Sequence, residues 1–168
     1  MNPFKHKVII ITGASSGIGK ACAIELAKLG AYICLAARRI EKIDSLKMEL
    51  IAIGTKAISV KTDVSLENEC KTLIDETINT FGKIDILINN AGIAMRSSFE
   101  DTDVKVLKKL MDVNFWGAVY FTKFALPYLL EAKGTVVAVS SVAGFQGLPG
   151  RIGYSASKYA LNGFFRNS

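Results

Sequence analysis

The sequence is poor in the residues that most often build a metal or histidine-based site. It holds one histidine, three cysteines, three prolines and one tryptophan in 168 residues. His6 stands alone in the N-terminal tail, so neither a zinc site nor a histidine base is supported. Cys22, Cys34 and Cys70 are odd in number and lack metal-ligand spacing. Cys22 and Cys34 fall at buried-type positions and read as small core residues. No apolar stretch approaches the ~20 residues that span a bilayer. Lys5 and Lys7 precede the apolar run Val8 to Ile11, which is too short for a signal-peptide core and leads directly into glycines. The reading is a cytoplasmic protein with no membrane partner. Lys105, Lys108, Lys109, Lys123 and Lys133 are spread through helical patterns rather than clustered with aromatics, which gives no nucleic-acid signature. Internal repeats and low-complexity tracts are absent.

What is present is a core-forming composition, 50% hydrophobic, in a chain of one-domain length. Short β-branched runs alternate with helical patterns. This predicts an α/β fold, a Rossmann-like doubly wound parallel sheet with helices on both faces. Five strands are expected, around Val8–Ile11, Tyr32–Ala37, Ala57–Val60, Ile84–Ile88 and Thr135–Val139. Right-handed crossovers order them 3-2-1-4-5. The net charge of +6 serves solubility or attraction to anionic ligands.

Gly13, Ser15, Ser16, Gly17, Ile18 and Gly19 form a glycine turn between the first strand and a helix that Gly30 stops. In that context the backbone can approach a pyrophosphate, and the helix N-terminus offers unpaired N–H groups. The spacing is Gly-x-x-x-Gly-x-Gly, not Gly-x-Gly-x-x-Gly. The second strand ends in Arg38-Arg39, nineteen residues after Gly19, where a dinucleotide fold meets the adenosine ribose. A carboxylate there would favour the 2′-hydroxyl; an arginine favours a 2′-phosphate. No acidic residue stands at this strand end, which predicts NADP(H) as cofactor.

Tyr154 and Lys158 are four residues apart and share a helix face. A phenol with an unperturbed pKa near ~10 is a poor acid near neutrality, and a neighbouring ammonium favours its phenolate. Such a pair can give a proton to a reduced carbonyl or take one from an alcohol. Ser141, thirteen residues before Tyr154 and just after an apolar run, can hydrogen-bond the substrate oxygen. Asn89-Asn90-Ala91-Gly92 reads as a turn, and Asn114 as either a distortion within a helix or a solvated position.

The ordered set Thr12 to Gly19, Asp63-Val64, Asn89 to Gly92, Asn114, Ser141 and Tyr154-Ser155-Ala156-Ser157-Lys158 resembles the short-chain dehydrogenase/reductase superfamily. The resemblance implies Tyr154 as general acid/base, with Lys158 also binding the nicotinamide ribose. It implies Ser141 as the group polarising the carbonyl, and Asn114 as holder of a water that relays protons to Lys158. Asp63 and Val64 would contact the adenine, and Asn90, Ala91 and Gly92 would support the cofactor. Ala37-Arg38-Arg39 is similar to NADP-preferring members. The chain is similar to the N-terminal two-thirds of such an enzyme, without the last strands and the lid over the substrate.

These readings converge on an NADP(H)-dependent oxidoreductase acting on a small hydrophobic carbonyl or alcohol. A 3-oxoacyl-thioester reductase and a non-catalytic nucleotide-binding module are the alternatives. Phe145, Leu148 and Ile152, with Met95 and Arg96, are expected to wall the substrate pocket. The helix expected from about Val104 to Leu130 carries surplus aromatics, and the resemblance implies that it pairs subunits in a homodimer or homotetramer. Strand five becomes a sheet edge whose apolar run invites pairing with another chain. The 168-residue chain alone is therefore expected to be marginal or aggregation-prone.

Overall fold

The computed structural model describes residues 2–166. Strand β1 (Val8–Thr12) is buried at every position, as expected of a central strand whose first four residues are β-branched and apolar. The others are β2 (Tyr32–Ala37), β3 (Ala57–Lys61), β4 (Ile86–Asn89) and β5 (Thr135–Ala138). All pairings are parallel and the order is β3-β2-β1-β4-β5, as the crossover rule predicts. The helices are α1 (Gly17–Lys28), α2 (Ile40–Ala52), α3 (Glu67–Phe81), α4 (Val104–Met111), α5 (Gly117–Glu131) and α6 (Ile152–Arg166).

Alternation along the strands divides the interior into two layers. Ile9, Ile11, Ile33 and Leu35 pack with Ala23, Ala27, Ile43, Leu46 and Leu50 from α1 and α2. On the other face Ile10, Cys34 and Leu87 pack with Leu73, Ile74, Phe121, Ala125 and Leu129 from α3 and α5. Helix α1 ends as expected at Gly30, whose φ of +79° is left-handed and suits glycine.

Four local expectations are corrected. The fourth strand begins at Ile86, not Ile84, because Asp85 turns its carboxylate back onto β1 and accepts from Val8 N at 2.9 Å. The fifth strand ends at Ala138, although Val139 N still donates to Asn89 O at 2.9 Å. The single long helix is three pieces: α4, a π-helical segment Asp112–Trp116, then α5. Cys22 is half-buried, while Cys70 joins Cys34 in the core, where burial pushes both thiols up to about 12. Strand β5 is the sheet edge, with Val137 40% exposed. Among the described residues no helix is long and apolar enough to cross a membrane.

Candidate active site

A crevice opens at the carboxyl ends of β1 and β4, where the strand order reverses and parallel sheets of this kind bind ligands. Its first wall is the turn after β1. Gly13 and Gly17 have φ of +67° and +57°, which only glycine adopts without strain. A Cβ on Gly13 would stand 2.8 Å from Ala91 Cα, and one on Gly19 would stand 2.5 Å from Asn90 Nδ2. The turn is thus pressed against the segment after β4, and polar bonds fix it there. Thr12 Oγ1 accepts from the backbone N–H groups of Asn90 and Ala91, both at 3.0 Å. Asn90 Nδ2 donates to Thr12 O at 2.9 Å. Ser16 caps α1 in extended conformation, with no side-chain bond to the helix N–H groups behind it.

The cavity formed here measures about 620 Å³ and is lined by Gly13, Ser15, Ser16, Ile18, Arg38, Arg39, Asp63, Val64, Asn90, Ala91 and Gly92. These are all sites anticipated from the sequence. Gly17 and Gly19 shape the turn and do not line the cavity. Ala37, Thr62, Ile93 and Val113 also line it. Each adjoins an anticipated residue in sequence, and that adjacency is the signal that would have found them. At the outer end Arg39 donates to Ser15 Oγ at 2.7 Å and to Ser16 Oγ at 3.0 Å, joining the cationic strand end to the glycine turn. Burial pushes the Asp63 carboxyl up. Hydrogen bonds from Ser65 and the positive charges of Arg38 and Lys109 outweigh that and hold it below the usual carboxylate range.

At the inner end, beyond Gly92, four further segments meet, and their anticipated residues Asn114, Ser141, Tyr154 and Lys158 adjoin the cavity without lining it. Helix α6 carries Tyr154 and Lys158 on one side, with Lys158 Nζ 5.9 Å from the centre of the Tyr154 ring. Lys158 is only 5% exposed, and burial lowers its pKa. Its ammonium donates to Val139 O at 2.8 Å. Ser141 follows in extended conformation and its Oγ accepts from Ala143 N at 3.2 Å, which leaves the hydroxyl proton to be donated elsewhere. Asn114 sits in the π-helical segment and is 2% exposed, which decides for a distortion over a solvated position. Its amide accepts from Ile93 N at 2.8 Å and donates to Ile93 O and Ser157 Oγ, both at 2.9 Å. A Cβ on Gly92 would lie 3.3 Å from Asn114 Oδ1 and 3.8 Å from Lys158 Nζ, so crevice and inner end meet at this glycine.

Sequence reasoning gave Ser157 no role of its own. It is fully buried, accepts from Asn114 and donates to Tyr154 O at 2.7 Å. Only the π-helical turn aims Asn114 at it, and nothing in the residue spacing signals that. A second cavity of about 570 Å³ lies behind the loop that follows β5, with Ser97, Phe99, Leu148, Pro149 and Ile152 among its walls. Leu148 and Ile152 are therefore cavity residues. Phe145 is not, because it lies under the Arg166 guanidinium, 4.7 Å from it. Met95 packs near Gly153 in the first turn of α6, and Arg96 beside Gly150 in the loop before it.

The sequence profile of the short chain dehydrogenase family matches residues 7–168, and the chain belongs to that family. It is 47% identical over 162 residues to an 11-beta-hydroxysteroid dehydrogenase-like protein 3 of Arabidopsis thaliana, covering 95% of this chain and 52% of the relative. It is 43% identical over 161 residues to an 11-beta-hydroxysteroid dehydrogenase A of Sesamum indicum, covering 46% of that protein. The chain thus spans about half the length of the curated relatives it matches. An alcohol dehydrogenase of Thermococcus sibiricus, solved with 5-hydroxy-NADP, superposes with a TM-score of 0.95 at 27% identity, over 97% of this chain and 70% of that one. A short chain dehydrogenase/reductase of Burkholderia phymatum, solved with NAD, gives 0.95 at 31% identity, over 99% and 60%. The fold is the Rossmann-like one of these enzymes, and the family is one of oxidoreductases that use a nicotinamide cofactor.

Proposed function

We propose that this chain is the cofactor-binding and proton-transferring part of an NADP(H)-dependent oxidoreductase that interconverts a hydrophobic ketone or aldehyde and its alcohol. The observation that carries the proposal is the convergence of Gly92, Asn114 and Lys158 at the inner end of the crevice, with Tyr154 beside Lys158. The crevice fits a dinucleotide: the glycine turn that walls it has no room for a Cβ at Gly13 or Gly19 against Asn90 and Ala91, and its outer end is cationic.

When bound, the cofactor supplies or accepts the hydride. The protein's own residues do the rest. Ser141 donates its free hydroxyl proton to the substrate oxygen and orients it. Tyr154 gives that oxygen a proton in reduction and removes one in oxidation. Lys158 places a positive charge near the phenol oxygen and stabilises the negative charge that develops there. Asn114, locked by Ile93 and Ser157, fixes the wall against which Lys158 packs and would hold the water that relays protons to Lys158. Asp63 and Val64 take the adenine side. The relatives' names point to hydroxysteroid-like substrates, which suits the apolar walls supplied by Phe99, Leu148 and Ile152.

Cofactor preference rests on Arg38 and Arg39, since the two superposed structures carry one cofactor of each kind. Replacing Arg38 with Asp removes a charge-assisted partner of a 2′-phosphate and adds repulsion. NADPH affinity is expected to fall at least ~tenfold, with NADH affinity unchanged or improved, in a fluorescence titration. Unchanged NADPH binding contradicts the assignment. Exposed Trp116 and the ring stack it makes with Tyr120 support pairing of subunits through this face, which light scattering on the full-length protein would test.

A further inference from the structure

Helix α6 carries more than Tyr154 and Lys158. The turn that follows Ser141 hangs from it. Asn162, one helical turn after Lys158 and on the same face, donates its Nδ2 to Gly144 O at 2.9 Å. The fit is tight, because a Cβ on Gly144 would stand 2.5 Å from Asn162 Nδ2 and 2.8 Å from Lys158 O. Tyr159 Oη donates to the next carbonyl, Phe145 O, at 2.6 Å, and Arg166 covers the Phe145 ring. On the other side of Ser141, Lys158 Nζ holds Val139 O at 2.8 Å. Ser141 is therefore bracketed by two points fixed to one helix: the carbonyl two residues before it and the carbonyl three residues after it. Its own Oγ and carbonyl are tied into the same turn, through Ala143 N at 3.2 Å and Gly144 N at 2.9 Å.

We infer that Asn162 is a positioning residue, which fixes Ser141 relative to Tyr154 by clamping the Val142–Gly144 turn onto the helix that bears Tyr154 and Lys158. Strand β5 ends at Ala138, so the sheet does not itself hold Ser141. The cross-links from α6 do. Without the Asn162 bond the turn keeps its fold but gains freedom to shift along the helix. An ångström of slack in an aligned hydroxyl is enough to cost rate. Asn162 spends its amide on Gly144 O and contributes nothing to the glycine turn or the arginines of the outer end, so its loss should leave cofactor binding alone. The inference rests on the proposed roles of Ser141 and Tyr154.

The test uses the full-length protein, NADPH, and whichever member of a panel of hydrophobic ketones and aldehydes it reduces fastest. Asn162→Ala is expected to lower kcat roughly tenfold or more, with the NADPH dissociation constant unchanged within about twofold. Asn162→Gln, which keeps an amide donor, should recover part of the loss. A wild-type kcat in Asn162→Ala overturns the inference, as does an equal loss in kcat and NADPH affinity. Should Asn162→Ala fail to fold, Asn162→Ser, whose hydroxyl is too short to reach Gly144 O, should show the same deficit in kcat, and wild-type turnover there overturns it. The two levels separate through Tyr154→Phe: if that variant is inactive while Asn162→Ala is normal, only this inference falls. If Tyr154→Phe keeps wild-type turnover, the underlying reading falls.

Discussion

Lys158 is under opposed physical demands. In the proposed mechanism it is charged to act on the phenol, yet it is 5% exposed and burial lowers its pKa. A lysine whose folded pKa lies below its unfolded value of about 10.4 detracts from stability wherever it is charged, and the penalty lifts only as pH rises from the folded toward the unfolded value. At neutral pH the ammonium is thus held at a cost, offset in part by its bond to Val139 O. Lys158→Met removes both. We expect turnover to collapse while the melting temperature stays level or rises by a few degrees, since replacing a buried charge by an apolar side chain is often neutral or stabilising. A clear fall in melting temperature would mean that Lys158 is a structural residue. At this scale residue type and spacing located Gly13 and Arg38 at the crevice and Tyr154 beside Lys158. It was silent on Ser157 and Asn162, whose roles depend on which neighbour each side chain meets across separate elements.

Elements were legible wherever one periodicity ran unbroken. The strands read as short β-branched runs because both their faces are covered, and the crossovers left one order for them. The break at Asp112–Trp116 was legible only as one of two readings of Asn114, because the apolar stripe of Leu110 and Val113 resumes at Ala118 and Phe121 after a single five-residue step. A π-helical turn inserts one residue without interrupting the buried face, so a pattern of apolar positions reports it poorly. The start of β4 was displaced for a different reason. Burial pushes the Asp85 carboxyl up, but hydrogen bonds from Lys7, Lys83 and Val8 N outweigh it and hold the group below the usual carboxylate range. The same residue's carbonyl accepts from Thr135 N at 3.0 Å, so Asp85 joins the beginnings of three strands. A depressed carboxyl stabilises the fold above its unfolded pKa of about 3.9, and that stability is lost as pH falls through the folded value. Asp85→Asn should therefore cost about 1–3 kcal/mol at pH 7. The deficit relative to wild type should vanish in acid denaturation below the folded pKa. A deficit that persists there would show that the carboxylate charge is not its source.

At the scale of the whole molecule, the sheet has a well-covered interior and two edge strands, β3 and β5. Strand β5 presents unpaired backbone along an apolar run, and β1 at the centre is fully enclosed. Bare apolar edges recruit other chains. The 168 residues expressed alone are expected to elute as aggregates and to melt without a sharp transition. A soluble monomer with a cooperative melt would contradict this. Fold and family could be read from the order of motifs, since the glycine turn, Asp63-Val64, Asn89 to Gly92 and Ser141 each follow a strand and the topology brings those carboxyl ends together. The second cavity was not legible at this scale, because most of its walls come from loops whose paths no local pattern sets.

The claim on which the proposed chemistry turns is that Tyr154 handles the proton. Phenylalanine at that position keeps the ring beside Lys158 and deletes only the hydroxyl. In full-length protein, Tyr154→Phe should bind NADPH with a dissociation constant within about twofold of wild type while carbonyl reduction falls at least ~100-fold, the usual contribution of a placed general acid. Wild-type turnover in Tyr154→Phe would show that the proton comes from another group.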